Sequence, residues 1–496
     1  MSIKNKKFYI TTSIAYTNAP PHIGFALELI QADVLARYHR LLGEDVFFLT
    51  GTDEHGFKIA EAAEKEGKKP EVFVEEISGK FEELAAVLNI SNNNFIRTTD
   101  EKRHWPVVRE VWKKLEEKED LYKKDYEGWY CKGCEAFITE RKEDKGFCLT
   151  HRNIKPELVH EKNWFFKLSR YQDKIREKIE SDELKIIPET RKNEVLGILN
   201  QEWTEFVEGK QIRKKGLEDI SFSRLREKLK WGIPVPGDEE NQTIYVWADA
   251  LTNYISALGY PKSKEFKKYW PANVHCIGKD ILKFHSLIWP AILLSLGLEL
   301  PKTIFVHGFI TANGQKMSKS LGNVIDPFEL VKKYGVDAVR YFLLREIPSA
   351  EDGDFTYEKF EKRYNADLAK GLGNLLARTL TLAKKFNIKK VNSSRANINS
   401  FIDDPREKYN RALPSFKFND ALAAIWEIIG ELDKYIDKEE PWKGGKKSEE
   451  VVSNSLLVLK EIAKLLRPFL PQTSEKILKQ LETEKSEILF PIKKLK

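Results

Sequence analysis

Two apolar runs, KFYITTSI at residues 7–14 and DVFFLT at residues 45–50, bracket one helical pattern. In that pattern Leu27, Ile30, Val34 and Leu41 fall three, four and seven apart, the spacing of one helix face. Two strands joined through a helix run parallel, because such a crossover returns the chain to the same end of the sheet. Two acidic–basic helical stretches follow, then NNFIRTTD as another strand. A β-turn-α-β-α opening predicts a parallel α/β sheet.

From about residue 121 to residue 230 that rhythm stops: aromatics are dense, charge is high, and three of the four cysteines appear. It returns with QTIYVWADAL and NVHCIG, each read as a strand leading into a helix, and with TIFVHGF as a further strand. After about Phe355 strand signals fade into amphipathic helices with Lys/Glu faces, the pattern of a helical bundle. The expected division is therefore 1–120 and 231–310 for the two halves of a Rossmann-like parallel-sheet domain, 121–230 for an insertion, 311–362 for a loop and connecting region, and 363–496 for an all-α domain. A chain of 496 residues is too long for one core, which agrees with several domains. No apolar run reaches the length of a membrane span, and the first residues run straight into a strand without a signal peptide. A cytoplasmic protein is expected. The net charge of +7, from 83 basic and 76 acidic residues, permits an acidic partner such as RNA without requiring one.

Ligands of an open parallel sheet bind at the carboxyl ends of its strands, where the first turn, TNAPPHIG, belongs. Pro20 and Pro21 stiffen the approach, Gly24 leaves room for close contact, and a helix N-terminus favours phosphate. His22 adds a hydrogen bond to such a ligand; taken alone, His-x-Gly serves a structural turn equally well. The second phosphate-like element is GQKMSKSLGN, in which Lys316 and Lys319 stand in a glycine-bounded loop after an apolar strand and before a helix opened by Pro327. Lysine acts there as a mobile point charge on polyphosphate.

Pro-His-Ile-Gly near the first strand, paired with Lys-Met-Ser-Lys-Ser about 300 residues later, resembles the signature pair of class I aminoacyl-tRNA synthetases. The segments TTSIAYTNAPPHIGF, LTGTDEHGFKIAEAA, FIRTTDEKRHW, WGIPVPGD, YVWADALTNYI, CIGKDILKFHSLIWPA and HGFITANGQKMSKSLGNVIDP narrow the resemblance to the methionyl-tRNA synthetase family, over essentially the whole chain and in order. The resemblance implies a two-step reaction, adenylation of methionine by ATP with magnesium on the phosphates, then transfer to the 3′ end of tRNA(Met). It implies that His22, Lys316 and Lys319 are catalytic, with Gly24 and Ser320 joining them around ATP. It further implies a methionine pocket of Ile14, Tyr16, Asp53, Trp247, Ala250, Leu251, Tyr254, Ile281 and His285, with Asp53 for the ammonium group. Aromatic rings suit a thioether, by roughly 0.3–1.5 kcal/mol per contact.

Three positions depart from the family's pattern. Phe25 stands where a second histidine is usual, and Ser13 and Ala15 replace the more usual proline and tyrosine, which bears on the shape of the pocket's mouth.

Cys131, Cys134, Cys148 and His151 follow C-x2-C-x13-C-x2-H. Two pairs of soft ligands at that spacing fit one tetrahedral structural zinc, with no open position for catalysis. In the family this insertion lies over the acceptor end of tRNA. Cys276 stands alone in a strand. Asn374 and Arg378 lie four apart on one helix face, and Trp442 lies among lysines and glycines. An amide, a guanidinium and an exposed indole suit an unstacked base, and by resemblance these positions read the CAU anticodon. Lys384, Lys385, Lys389 and Lys390 are expected to add phosphate contacts. A monomer is expected, since no appended domain follows the helices.

Two other readings compete. A synthetase for another small amino acid such as cysteine would need a thiolate-bound zinc in its pocket, and the first strand carries no cysteine. A catalytically impaired tRNA-binding paralogue is favoured only by Phe25. Phe25→His is expected to preserve or raise the rate of methionine-dependent ATP–pyrophosphate exchange; a severe loss in a folded variant contradicts this reading of Phe25.

Overall fold

The computed structural model describes residues 6–131, 136–138, 143–144, 147–148, 155–207, 210–317, 321–388, 398–445, 447–483 and 485–493. The chain divides into two compact units. One comprises Met1–Pro21, Gly43–Glu83 and Asn92–Val306; the other comprises His22–Leu42, Leu84–Ser91 and His307–Lys496.

The first unit is built on a seven-stranded sheet. Its strands are β1 (Lys7–Thr12), β2 (Ala15–Tyr16), β3 (Asp45–Asp53), β4 (Asn94–Arg97), β5 (Lys185–Ile187), β6 (Val274–Gly278) and β7 (Thr303–His307). The order is β5-β7-β6-β1-β3-β2, with β4 also on β3. β1 runs parallel to β3 and β6, β5 to β7, and β2 and β4 to β3. Central strands covered on both faces need apolar residues at successive positions. Tyr9, Ile10, Phe48, Leu49, Cys276 and Ile277 accordingly are fully buried. The core continues into helix Trp105–Glu117 through Val108, Val111, Trp112 and Leu115, and into helix Trp289–Leu296 through Trp289 and Ile292.

Two details differ from the sequence reading. QTIYV does not join the parallel sheet: only Gln242–Ile244 is extended, and it pairs antiparallel with Ser223–Leu225. The reason is polar. Ser223 donates to the buried Gln242 Oε1 at 2.6 Å, and Gln242 Nε2 donates to the Lys162 carbonyl at 2.9 Å, which anchors this short ladder outside the apolar sheet. Within 121–230, Lys185–Ile187 supplies a strand of the main sheet, while Leu121–Cys131 and Glu157–Phe166 form a long antiparallel pair of their own.

The second unit is mostly helical, and among the described residues no strand follows Gly353–Phe355. Helix Ile23–Leu41 belongs to it, together with Asn374–Lys385, Asn399–Ala412, Phe418–Glu439, Ser448–Leu466 and Pro471–Thr483. Among the described residues no helix is long and apolar enough to cross a membrane.

Helix Ile23–Leu41 buries charge as well as hydrocarbon. Asp33 is fully buried and meets Arg340 Nη2 at 2.7 Å and Arg37 Nε at 2.7 Å, and it accepts from Ser91 N at 2.8 Å. Arg340, also fully buried, donates to the carbonyls of Phe469 at 2.7 Å, Pro468 at 3.1 Å and Leu88 at 3.2 Å. Burial alone raises the Asp33 pKa, but the Arg340 and Arg37 charges and the Ser91 hydroxyl lower it more, so it ends below the ordinary carboxylate value. Its stabilising effect is therefore complete above the unfolded value of roughly 4 and is lost as pH falls through the lower folded value. Asp33→Ala leaves Arg340 buried without its counter-charge and is expected to reduce the free energy of unfolding by about 3–5 kcal/mol, read from the denaturation midpoint at neutral pH. A change within about 0.5 kcal/mol contradicts a structural role for the pair.

Candidate active site

The residues read from the sequence as an amino-acid pocket all lie in the first unit, several of them just beyond the carboxyl ends of its central strands. Ile14 and Tyr16 follow β1, Asp53 ends β3, and Ile281 and His285 follow β6. The β2–β3 register sets Tyr16 opposite Asp53. The Asp53 carbonyl accepts from both Thr17 N and Thr17 Oγ1 at 3.0 Å, which fastens the turn before His22 to the end of β3. Asp53 is 6% exposed, so its carboxylate lies at the end of β3 and not in open solvent.

The other wall comes from helices Val246–Leu251 and Asn253–Ser256. Ala250, Leu251 and Tyr254 are buried, while Ile14, Tyr16, Trp247 and Ile281 are partly buried against the same core. Trp247 stacks on Phe284 with centroids 3.6 Å apart and planes 10° from parallel, and it meets the His285 ring edge-on at 6.4 Å. Phe284, which stacks on Trp247, was not singled out in the sequence; its position beside His285 was the available signal.

His285 is neutral. Its Nδ1 lies 3.0 Å from the Ile281 carbonyl, which only accepts, so the proton sits on Nδ1. Nε2 then accepts from the Tyr254 hydroxyl at 2.7 Å. Burial pushes the His285 pKa down to about 4, against a smaller upward effect of the Ile281 hydrogen bond. Behind it His275 is also neutral, driven well down by burial and then by His285. It lies 2.8 Å from Thr11 Oγ1 and accepts the Trp289 indole N–H at 3.3 Å. The two histidines are thus polar in their bonding yet uncharged.

His22, Gly24 and Lys316, read from the sequence as phosphate contacts, lie in the second unit. His22 is the N-cap of helix Ile23–Leu41, and its Nδ1 accepts from Gly24 N at 3.0 Å. That bond places the proton of the neutral ring on Nε2. A Cβ on Gly24 would stand 2.8 Å from His22 Cε1, so glycine is required for the ring to fold over the helix start. Ile23 N donates to the Ile325 carbonyl at 3.2 Å, and Glu28 Oε2 lies 2.8 Å from His307 Nε2. The signature helix thereby holds both flanks of the Lys316 loop. Lys316 itself is exposed on the hairpin of Ile310–Ala312 and Gln315–Lys316. The hairpin turns through Asn313 and Gly314, both at positive φ (53° and 72°), the conformation that Asn-Gly favours. Lys319 and Ser320 lie outside the described residues.

Of the four residues read from the sequence as zinc ligands, Cys131 is buried at the end of its strand. The backbone of Cys148 lies in a two-residue strand paired with Glu143–Asp144. Cys134 and His151 lie outside the described residues. Cys276 is buried in β6, as expected.

In the helical part Asn374 is exposed at the start of helix Asn374–Lys385. Arg378, one turn on, pairs with Asp433 at 3.0 Å and Asp437 at 2.9 Å. Trp442 is 41% exposed, and its carbonyl accepts from Lys385 Nζ at 2.8 Å. The structure therefore ties the indole's turn to the helix that carries Asn374 and Arg378. Lys389 and Lys390 lie outside the described residues.

The family described as tRNA synthetases class I (M) matches residues 8–154 and 148–380, and the anticodon-binding domain of tRNA ligase matches residues 396–495. The methionine–tRNA ligase of Thermotoga maritima is 44% identical over 495 residues, covering 96% of this chain and 76% of its own. That of Brucella suis is 42% identical over 490 residues, covering 96% and 92%. The structure of Mycobacterium tuberculosis methionyl-tRNA synthetase in complex with methionyl-adenylate superposes with a TM-score of 0.86 at 37% identity, covering 98% of each chain.

The neutral His285 has a consequence for pH. Its folded pKa of about 4 lies below the ordinary value of 6.5. Between those values the unfolded chain binds the extra proton, so stability falls as pH drops through that window, by about 3 kcal/mol in all. His285→Gln is expected to flatten that part of the stability–pH curve; an unchanged curve contradicts a neutral, buried His285.

Proposed function

The chain belongs to the methionine–tRNA ligase family and joins methionine to tRNA with ATP, and from that premise we propose which residues carry each step. Methionine's carboxylate attacks the α-phosphate of ATP, pyrophosphate leaves, and methionyl-adenylate remains. A terminal adenosine hydroxyl of tRNA(Met) then attacks the adenylate's carbonyl carbon and AMP leaves. The first attack needs no general base, since a carboxylate is already ionised at neutral pH. The protein's task is alignment and stabilisation of phosphate charge.

One observation carries the assignment of the amino-acid site: Trp247 stacked on Phe284 beside a neutral His285, with Asp53 at the adjoining strand end. Ile14, Tyr16, Ala250, Leu251, Tyr254 and Ile281 complete an apolar pocket for the thioether, and Asp53 takes the ammonium group. His22 donates from Nε2 to phosphate oxygen. Gly24, Lys316, Lys319 and Ser320 surround the polyphosphate, where magnesium supplies further charge neutralisation.

Cys131, Cys134, Cys148 and His151 hold one zinc in a closed site that contributes folding energy. The C-x2-C-x13-C-x2-H spacing supports this, since two close pairs of soft ligands suit one tetrahedral zinc. Asn374, Arg378 and Trp442 read the anticodon, with Arg378 held in position by two carboxylates. Division at 1–120, 121–230, 231–310, 311–362 and 363–496, a monomeric state and a cytoplasmic location complete the reading; ATP and tRNA are available in the cytoplasm.

His22→Ala is expected to lower kcat for methionine-dependent ATP–pyrophosphate exchange by about 10²–10³, with KM for methionine little changed. Gly24→Ala, which displaces the same ring, is expected to lower it by about 10². A rise in methionine KM at constant kcat contradicts the phosphate role of His22.

A further inference from the structure

Three buried side chains next to the pocket have no part in the reaction as described. The Asp249 carboxylate, 1% exposed, lies between two histidines from distant parts of the chain. His55 Nδ1 stands 2.7 Å from Asp249 Oδ2, and His104 Nε2 stands 2.7 Å from Asp249 Oδ1. A carboxylate only accepts, so both rings donate. His104 Nδ1 lies a further 2.7 Å from Ser256 Oγ. Burial pushes the Asp249 pKa up, but the His55 charge and the hydrogen bonds from both rings outweigh it and hold the carboxylate below its ordinary range.

The positions in sequence give the cluster its meaning. His55 is two residues beyond Asp53, at the end of β3. Asp249 lies between Trp247 and Ala250 on the helix that forms the opposite wall. The intervening turn is fastened independently: the Glu54 carbonyl accepts from the Trp231 indole, Glu54 N donates to Thr98 Oγ1 at 2.9 Å, and the Glu54 carboxylate takes Arg97 Nε at 2.7 Å. The His55 ring packs edge-on against Trp231 at 5.4 Å. Replacing buried charge by apolar groups of the same shape generally costs little stability. Two short bonds to one carboxylate contribute fixed direction instead.

We infer that His55, His104 and Asp249 are positioning residues. They set the distance between the carboxylate that takes the substrate's ammonium group and the wall that takes its side chain. A strand end and a helix start 194 residues apart must hold one small molecule at two points, and this carboxylate is their direct tie. The inference rests on the assignment of Asp53 to the ammonium group. Ammonium-bearing substrates are then the ones that depend on the cluster.

The test compares methionine with 4-(methylthio)butanoate, which has the same side chain and carboxylate but no ammonium. In the full-length protein, KM for methionine and the inhibition constant of the des-amino acid are measured by ATP–pyrophosphate exchange. His55→Leu is expected to raise methionine KM about tenfold, the equivalent of one lost charge-assisted hydrogen bond, and to change the des-amino inhibition constant by less than about twofold. His55→Asn, which keeps an N–H at the Nδ1 position, is expected to restore most of the loss. If His55→Leu does not fold, Asp249→Asn is read in its place. Equal weakening of both ligands, no weakening of either, or an Asn variant as poor as Leu overturns the proposal. Asp53→Asn is the reference. If it does not discriminate between the two ligands, the ammonium assignment itself has failed; if it does and His55→Leu does not, the positioning role alone has failed.

Discussion

Parallel pairing of β1 with β3 and β6 is the constraint from which the amino-acid site follows. Parallel strands are buried on both faces, so their polar work is confined to their ends. β1 delivers Ile14 and Tyr16, β3 delivers Asp53, and β6 delivers Ile281 and His285, all at the carboxyl edge. The same pairing buries Thr11 and His275 side by side behind the pocket, where each satisfies the other. His275 and His285 are therefore paired and neutral before any ligand arrives. Under the proposed assignment, this neutral aromatic cluster favours a thioether over a charged side chain.

The second unit obeys a different rule. Its signature helix carries an exposed histidine at one end and a buried aspartate in the middle. Asp33 and Arg340 meet in the interior, and Arg340 also takes three backbone carbonyls, two of them at Pro468 and Phe469 between helices Ser448–Leu466 and Pro471–Thr483. One guanidinium thus ties the connection between two helices, and the segment at Leu88, to Asp33. The helix that presents His22 is by this route a structural member of the helical unit. The hydrogen bonds of Ile23 to Ile325 and of Glu28 to His307 put both flanks of the Lys316 loop on the same helix, so the histidine and the lysine loop share one support.

What was legible in the sequence was local. The strand–turn–helix opening and the Gly24 turn each need particular residues at fixed short offsets, and they stand where their spacing placed them; the hairpin that carries Lys316 was read only as a glycine-bounded loop. Cys276 and the strand NVHCIG were readable from apolar continuity. QTIYV misled because apolar and polar alternation does not say which sheet a strand joins; the buried Gln242 side chain decided that through partners far away in sequence. The His55–His104–Asp249 cluster was invisible for a similar reason. Its members sit in three segments that were each quoted as part of the family resemblance, but nothing in one dimension says that they share a carboxylate. Arg378 was readable as a helix-face cation, while its two aspartate partners on another helix were not.

The proposed assignment has a preformed aromatic pocket select methionine for adenylation. Amino-acid-dependent ATP–pyrophosphate exchange, run with each of the twenty amino acids on zinc-supplemented protein, tests it most directly. The account predicts exchange with methionine and only background rates with the rest. Exchange driven better by another amino acid, or none at all from a folded protein that still binds tRNA, would contradict it.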